Sequence, residues 1–299
     1  MSLVRWRDTG DAFDFNGHRI FLRTHGGGEE ALLLLHGFPT ASWDYEGMWG
    51  GLCKRFAHIV TFDMLGLGFS DKPHPHPYTV MEQADLAERL LEARGVRRVH
   101  LLAHNYGVCV TQELLARAAD RRAAGAGGQR GGHAVPVSAV FLNGGLFPET
   151  HRPRFMQRLL LSPFGPLLVR FGGPRAFARS FSALFGAQTR PGPIELHDYW
   201  NLIGLQEGRR VLPRLLRYID ERRVERRRWV GALLEAGLPM RLICGTADPA
   251  SGAPMAARYR ELLPKADVVM LEGIGHFPHI EAPDRSLRAF LAFHDSVTP

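Results

Sequence analysis

The chain has 299 residues, 45% hydrophobic and 22% charged, which is enough apolar material for a sizeable core and excludes a disordered chain. The formal net charge of +7 raises nucleic acid as a partner. However, the arginines of residues 217–228 are mixed with Asp220, Glu221 and Glu225, without interleaved stacking aromatics, so a solvated helical face is expected and nucleic acid is set aside. No apolar run is long enough to span a membrane, no signal-peptide stretch opens the chain, and Cys53, Cys109 and Cys244 form neither a disulfide framework nor a metal motif, so a cytoplasmic protein is expected.

Residues 12–15 and 19–25 read as two strands joined at Asn16-Gly17, a strong hairpin signal. Gly26-Gly27-Gly28 is a turn, and it lacks the Gly-Lys-Ser/Thr of a phosphate loop. Residues 31–35 are a continuous apolar run ending in His36-Gly37-Phe38-Pro39, and residues 58–62 form a second run; such runs mark central strands of a parallel sheet. Between the two lies a polar, tryptophan-containing segment ending at Arg55, and after Asp63 the glycines Gly66 and Gly68 make a loop. His74 and His76, flanked by prolines, lack a third ligand and read as surface residues rather than a metal site. Thr79 starts a helix to about Arg94, with Glu82 placed to complete a capping box.

Residues 99–103 form the next apolar strand, followed by a helix to about Arg121, a flexible Gly/Ala-rich insertion at 123–132 and a strand at 137–143. Residues 148–237 then contain short helical pieces and no convincing strand. Alternation resumes with a strand at 240–244, a helix at 255–263, a strand at 267–271 and a last helix from about Asp284. The expected fold is α/β: a mostly parallel eight-stranded sheet wrapped by helices. Residues 1–147 and 238–299 are expected to form the core. Residues 148–237 are expected to be a helical cap over the strands' carboxyl ends, where such sheets bind ligands.

The stretch that organises the chemistry is Ala103-His104-Asn105-Tyr106-Gly107, between a buried strand and a helix. Small side chains at Ala103 and Gly107 let strand and helix approach, so that the middle residue projects from a strained turn, the arrangement of a nucleophile elbow. Serine there would suggest an esterase and aspartate an epoxide hydrolase or dehalogenase, but this chain has Asn105. An amide is a poor nucleophile, and asparagine also tolerates left-handed turns for purely local reasons. Two later residues favour a functional role. Asp248 follows the strand at 240–244 and His276 follows the strand at 267–271, giving the chain order nucleophile position, acid, histidine. An acid there can fix the tautomer of the histidine and stabilise its charged form.

On these residues the whole chain resembles an α/β-hydrolase, with His36-Gly37-Phe38-Pro39 matching the His-Gly-x-Pro oxyanion segment. His-x-Tyr-Gly at the elbow resembles the epoxide hydrolase and haloalkane dehalogenase branch, whose nucleophile is aspartate. The segments Leu142-Asn143-Gly144-Gly145-Leu146-Phe147-Pro148-Glu149-Thr150-His151-Arg152-Pro153 and Arg226-Arg227-Arg228-Trp229-Val230-Gly231-Ala232-Leu233 resemble the mesoderm-specific transcript group of epoxide-hydrolase-like proteins.

The resemblance implies a catalytic set of Asn105 (in place of an aspartate), Asp248, His276 and the cap tyrosine Tyr218. It implies an oxyanion hole from the backbone N–H groups of Phe38 and Tyr106, and a substrate pocket including His36, His151, His197, Tyr199 and Trp200. The usual second cap tyrosine is not evident, and Tyr199, His197 or His151 is expected to substitute. No cofactor and no metal are implied. The partner is a small apolar epoxide or related electrophile, and a homodimer stays open. The alternatives are a haloalkane dehalogenase, a β-lactone decarboxylase or a non-catalytic binding protein that lost its nucleophile. An esterase is disfavoured because no serine sits in a Gly-x-Ser-x-Gly context.

Overall fold

A computed structural model describes residues 2–125, 132–263 and 265–298. Its strands are β1 (Asp11–Phe15), β2 (His18–Gly26), β3 (Glu30–Leu35), β4 (His58–Phe62), β5 (Arg98–Asn105), β6 (Val135–Gly144), β7 (Met240–Gly245) and β8 (Asp267–Leu271). They make one eight-stranded sheet in the order β1-β2-β4-β3-β5-β6-β7-β8. β2 runs antiparallel to β1 and β4, and the pairs from β4 to β8 are parallel. The hairpin turn puts both Asn16 and Gly17 at positive φ, which a two-residue turn of this hand requires. Leu32–Leu35 and Leu101–Ala103 are buried because β3 and β5 lie at the sheet's centre with helices on both faces.

Some local expectations change. A short helix Leu3–Asp8, capped by the Ser2 hydroxyl, precedes the hairpin and buries Trp6. The helix Val80–Ala93 is capped by the Thr79 hydroxyl, which accepts from the Glu82 N–H at 3.1 Å, but only half of the capping box forms. The Glu82 carboxylate is instead engaged by the His76 ring nitrogen at 2.8 Å. The insertion read at 123–132 falls largely on residues 126–131, outside the described residues.

Between β6 and β7 the described residues contain helices and no strand. The arginine-rich stretch there is solvated at Arg217, Arg223 and Arg227, and ion-paired where it meets the core. Arg228 and the Trp229 indole N–H both reach Glu113, a buried carboxylate on the helix Tyr106–Ala123. Arg226 grips Glu149 with two nitrogens, at 2.9 and 2.6 Å, a fork-to-carboxylate geometry stronger than a single contact. Glu149 and Arg226 belong to the two segments that carried the finer resemblance, so those segments are joined in space. Among the described residues no helix is long and apolar enough to cross a membrane.

Candidate active site

Asn105 ends β5 and opens the helix Tyr106–Ala123 with φ 48° and ψ −104°. A left-handed asparagine turn has ψ near +30 to +60°, so the amide's local turn preference does not account for this backbone. Its side chain also makes no capping bond to its own helix. The conformation is strained, of the kind held by surrounding structure at functional sites. Gly107 makes it feasible, since a Cβ there would lie 2.4 Å from the Leu35 carbonyl oxygen.

The Asn105 side chain is 8% exposed and fully engaged. Its Oδ1 accepts from the Phe38 backbone N–H and from the Tyr218 hydroxyl, each at 3.1 Å. These two donors set the amide's orientation and turn Nδ2 toward Nε2 of His276, to which it donates at 2.8 Å. On the far side of the ring, Nδ1 of His276 donates to Oδ2 of Asp248 at 2.7 Å. The three loop residues meet because β5, β7 and β8 end at the same edge of the sheet.

Asp248 is held as an anion. Burial pushes its carboxyl up, but the His276 charge and hydrogen bonds from His276, the Ser251 hydroxyl and the Ala250 N–H outweigh it and bring it well below the usual carboxylate range. Asn143, at the end of β6, adds a donor to Oδ2 at 2.8 Å and accepts from the Gly245 N–H at 2.7 Å, which ties the acid loop to the sheet. In the sequence Asn143 stands out only as part of a segment. The signal that could have found it is a polar side chain closing an apolar strand.

Two further supports are not evident from sequence. His104, beside the elbow, donates from Nε2 to the His276 carbonyl at 2.8 Å, and burial, followed by the neighbouring His279 and His276, keeps it neutral. Glu281 gathers four donors: the N–H groups of Gly275 and Phe277 on either side of His276, and the Gly186 N–H and Thr189 hydroxyl from the helical segment. It fastens the histidine loop to that segment, as does the His276 N–H, which donates to the Leu184 carbonyl at 2.8 Å.

The other predicted pocket residues scatter. His36 is fully buried behind the loop, with Nδ1 donating to the Gly37 carbonyl and Nε2 accepting from the Met64 N–H, so it shapes the Phe38 turn rather than lining a pocket. Tyr199 donates to the buried Asp44 at 3.2 Å. His197 is exposed and pairs with Asn201, and Trp200 packs at a tilt against Phe177 under the Arg209 guanidinium. None of these three contacts Asn105, because the helix Pro193–Gly204 directs them elsewhere. His151 is different: its Nε2 is buried without a partner among the described residues. Burial, then the charges of Arg222 and His276, lower its pKa to about 3. Tyr106 supplies the first N–H of the helix, which has no intrahelical acceptor, while its ring stacks on Tyr218 with centroids 4.7 Å apart.

Asp44, His104 and His279 bring donor atoms within 4.8 Å of one another behind the site. Burial raises the Asp44 carboxyl well above its usual range, and it already accepts from the Thr40 and Tyr199 hydroxyls. A carboxyl that burial disfavours as an anion and that two hydroxyls already occupy is a poor metal donor, so the cluster reads as a buried polar support.

A buried acid–histidine pair aimed at a strained elbow residue at the end of a parallel strand defines a hydrolase-like site. The chain belongs to the alpha/beta hydrolase family, whose profile matches residues 32–289. It is 40% identical over 304 aligned positions to the mouse mesoderm-specific transcript protein, covering 99% of this chain and 88% of that one. It is 35% identical over 294 positions to a putative hydrolase, LipZ, of Mycobacterium tuberculosis, covering 97% of each. In fold it is similar to the epoxide hydrolase CorEH, with a TM-score of 0.73, 17% identity and coverage of 97% of this chain and 99% of that one.

Proposed function

We propose that this chain carries the site of an epoxide hydrolase that forms a covalent ester, with Asn105 standing where the nucleophilic carboxylate acts, so that the chain as written binds an epoxide without opening it. The segment 148–237 serves as its cap. The observation that carries this reading is the convergence of the Phe38 N–H and the Tyr218 hydroxyl on Asn105 Oδ1, with His276 facing the other amide atom. An esterase needs no buried hydroxyl donor from a cap, whereas epoxide opening needs an acid for the departing alkoxide.

With a carboxylate at position 105, one of its oxygens attacks an epoxide carbon. The ring C–O bond breaks, and the electron pair left on oxygen takes the Tyr218 hydroxyl proton. Burial keeps that hydroxyl protonated until then, partly offset by the Arg222 charge. The ester formed is then attacked at its carbonyl carbon by water, which loses a proton to His276 Nε2 while Asp248 stabilises the resulting imidazolium. The Phe38 and Tyr106 N–H groups hold the oxyanion, where removing one such donor typically costs about 100- to 1,000-fold in rate. Collapse breaks the ester C–O bond, the departing alkoxide takes the proton of the His276 imidazolium to give the vicinal diol, and the remaining carboxyl proton returns to the Tyr218 phenolate, which restores the carboxylate. The test is Asn105→Asp against a panel of epoxides, haloalkanes and esters. Diol from epoxides supports the reading. Homogeneous Asn105→Asp protein that binds epoxides but makes no product favours the non-catalytic binding protein.

A further inference from the structure

Arg222 lies one turn beyond Tyr218 on the helix Tyr218–Val224 and is 3% exposed. Three arginines near it in sequence hold carboxylates, Arg223 with Asp220, Arg226 with Glu149 and Arg228 with Glu113, while Arg217 and Arg227 are exposed. Among the described residues Arg222, the most buried of these arginines, has no carboxylate or carbonyl partner, and its Nε is buried without an acceptor. Its guanidinium lies against the backbone of Gly145, where a Cβ would come 1.2 Å from Nη1, and beside the Cys109 thiol, whose rise in pKa on burial it partly offsets. A buried guanidinium without a counter-ion is strongly unfavourable, and it is expected where a ligand supplies the missing charge.

The surroundings place that ligand at the candidate active site. Gly144, next to Gly145, packs against the Asn105 backbone, and Tyr218, one turn before Arg222, touches the Asn105 amide. His151 feels both Arg222 and His276, and its Nε2 also lacks a partner. A groove of about 510 Å³ is lined by Pro153, Arg158, Ile219, Asp220 and Arg223 among others, neighbours in sequence of His151, Tyr218 and Arg222, which do not themselves line it. One guanidinium and one neutral imidazole N–H match a single carboxylate in charge and in donor count, and the guanidinium fork fits its two oxygens.

We propose that Arg222 is the counter-ion for a carboxylate on the substrate, with His151 Nε2 as a second donor, so that the substrate is a small epoxide bearing a carboxylate next to the ring. The epoxide part of this assignment rests on the function proposed above, but the anion part does not.

The protein as written allows binding to be measured by calorimetry without turnover. The probes are a 2,3-epoxy carboxylate, its primary amide, the matching 2,3-epoxy alcohol and a saturated carboxylate of the same length. Both carboxylates should bind at least about 10-fold more tightly than the amide and the alcohol, the scale of a hydrogen bond to a charged group. Arg222→Gln should remove that preference and Arg222→Lys should restore part of it, with folding checked by circular dichroism. Gly145→Ala, whose methyl group displaces the guanidinium, is a second route to the same loss. Equal affinity for carboxylate and amide in the unmodified chain overturns the proposal whatever the variants do, as does a preference that survives Arg222→Gln. If the carboxylates bind selectively but Asn105→Asp opens no epoxide, the anion subsite stands and the epoxide reading fails. If Asn105→Asp opens neutral epoxides without any carboxylate preference, the epoxide reading stands and the anion subsite fails.

Discussion

The Nδ2 amide of Asn105 donates to Nε2 of His276 across 2.8 Å, on the nitrogen that takes a proton from water in the mechanism proposed above. On that proposal asparagine blocks the site twice: it offers no nucleophile, and it occupies the lone pair of the base. Restoring a carboxylate relieves both. In an Asn105→Asp, His276→Gln protein the first half-reaction should proceed and the second should stall. Intact mass spectrometry should show an adduct equal to the mass of the epoxide, stable over hours. A protein that stays at its own mass with excess epoxide would sink the two-step assignment.

Among the described residues of the helical segment, Tyr218 alone hydrogen-bonds the Asn105 side chain, through its hydroxyl. In the Asn105→Asp background, Tyr218→Phe should slow ester formation by about 100-fold, within the usual range for a positioned acid, and leave ester hydrolysis nearly unchanged. Single-turnover kinetics separates the two steps. Equal slowing of both would mean that Tyr218 shapes the pocket and does not protonate.

Glu281 joins the histidine loop to the helical segment through four donors. Glu281→Ala leaves those donors without their acceptor, and hydrogen bonds to charged groups are worth about 1.5–3 kcal/mol each before compensation by water. A loss of about 2–4 kcal/mol in denaturant stability is expected. In the Asn105→Asp background ester hydrolysis should suffer more than ester formation, since His276 acts only in the former. Unchanged stability would mean that Glu281 does not latch the loop.

Acid should destabilise the fold steeply. His36, His104, His279 and His151 are all depressed, chiefly by burial, with His279 and His151 brought to about 3. Unfolded histidines take up protons below about pH 6.5, so the unfolded chain binds more protons than the folded one and stability falls as pH drops below that value. Asp44 and Glu221, raised by burial, act with the opposite sign, but they are two groups against five once His294, also lowered by burial, is counted. Denaturant midpoints between pH 7.5 and 5 should fall by more than one proton's worth per pH unit, and a flat profile would contradict the neutral assignments.

The strands are legible because their signals are local. The run Ala31-Leu32-Leu33-Leu34-Leu35 needs two apolar faces, Asn16-Gly17 needs a hairpin, and the chain order of Asn105, Asp248 and His276 follows from which strand each residue ends. The residues around the site are less so. Tyr199, His197 and Trp200 share a helix and all three carry side chains suited to a pocket, yet a helix points its side chains in different directions, and only packing decides which one faces inward. The half-formed capping box at Thr79 is decided likewise, by a histidine that a loop carries to Glu82.

From residues alone come the sheet, the elbow and the odd letter at its tip, since periodicity and strand-end position are properties of the chain itself. Tertiary structure decides what that letter does. The ψ of −104° at Asn105 separates a strained elbow from an ordinary asparagine turn, and it is imposed by the close packing of β3, β5 and the following helix. The burial of Arg222 without a carboxylate partner is likewise a fact of three dimensions. Each depends on contacts between residues far apart in the chain, and no local pattern encodes a contact that long-range packing alone brings about.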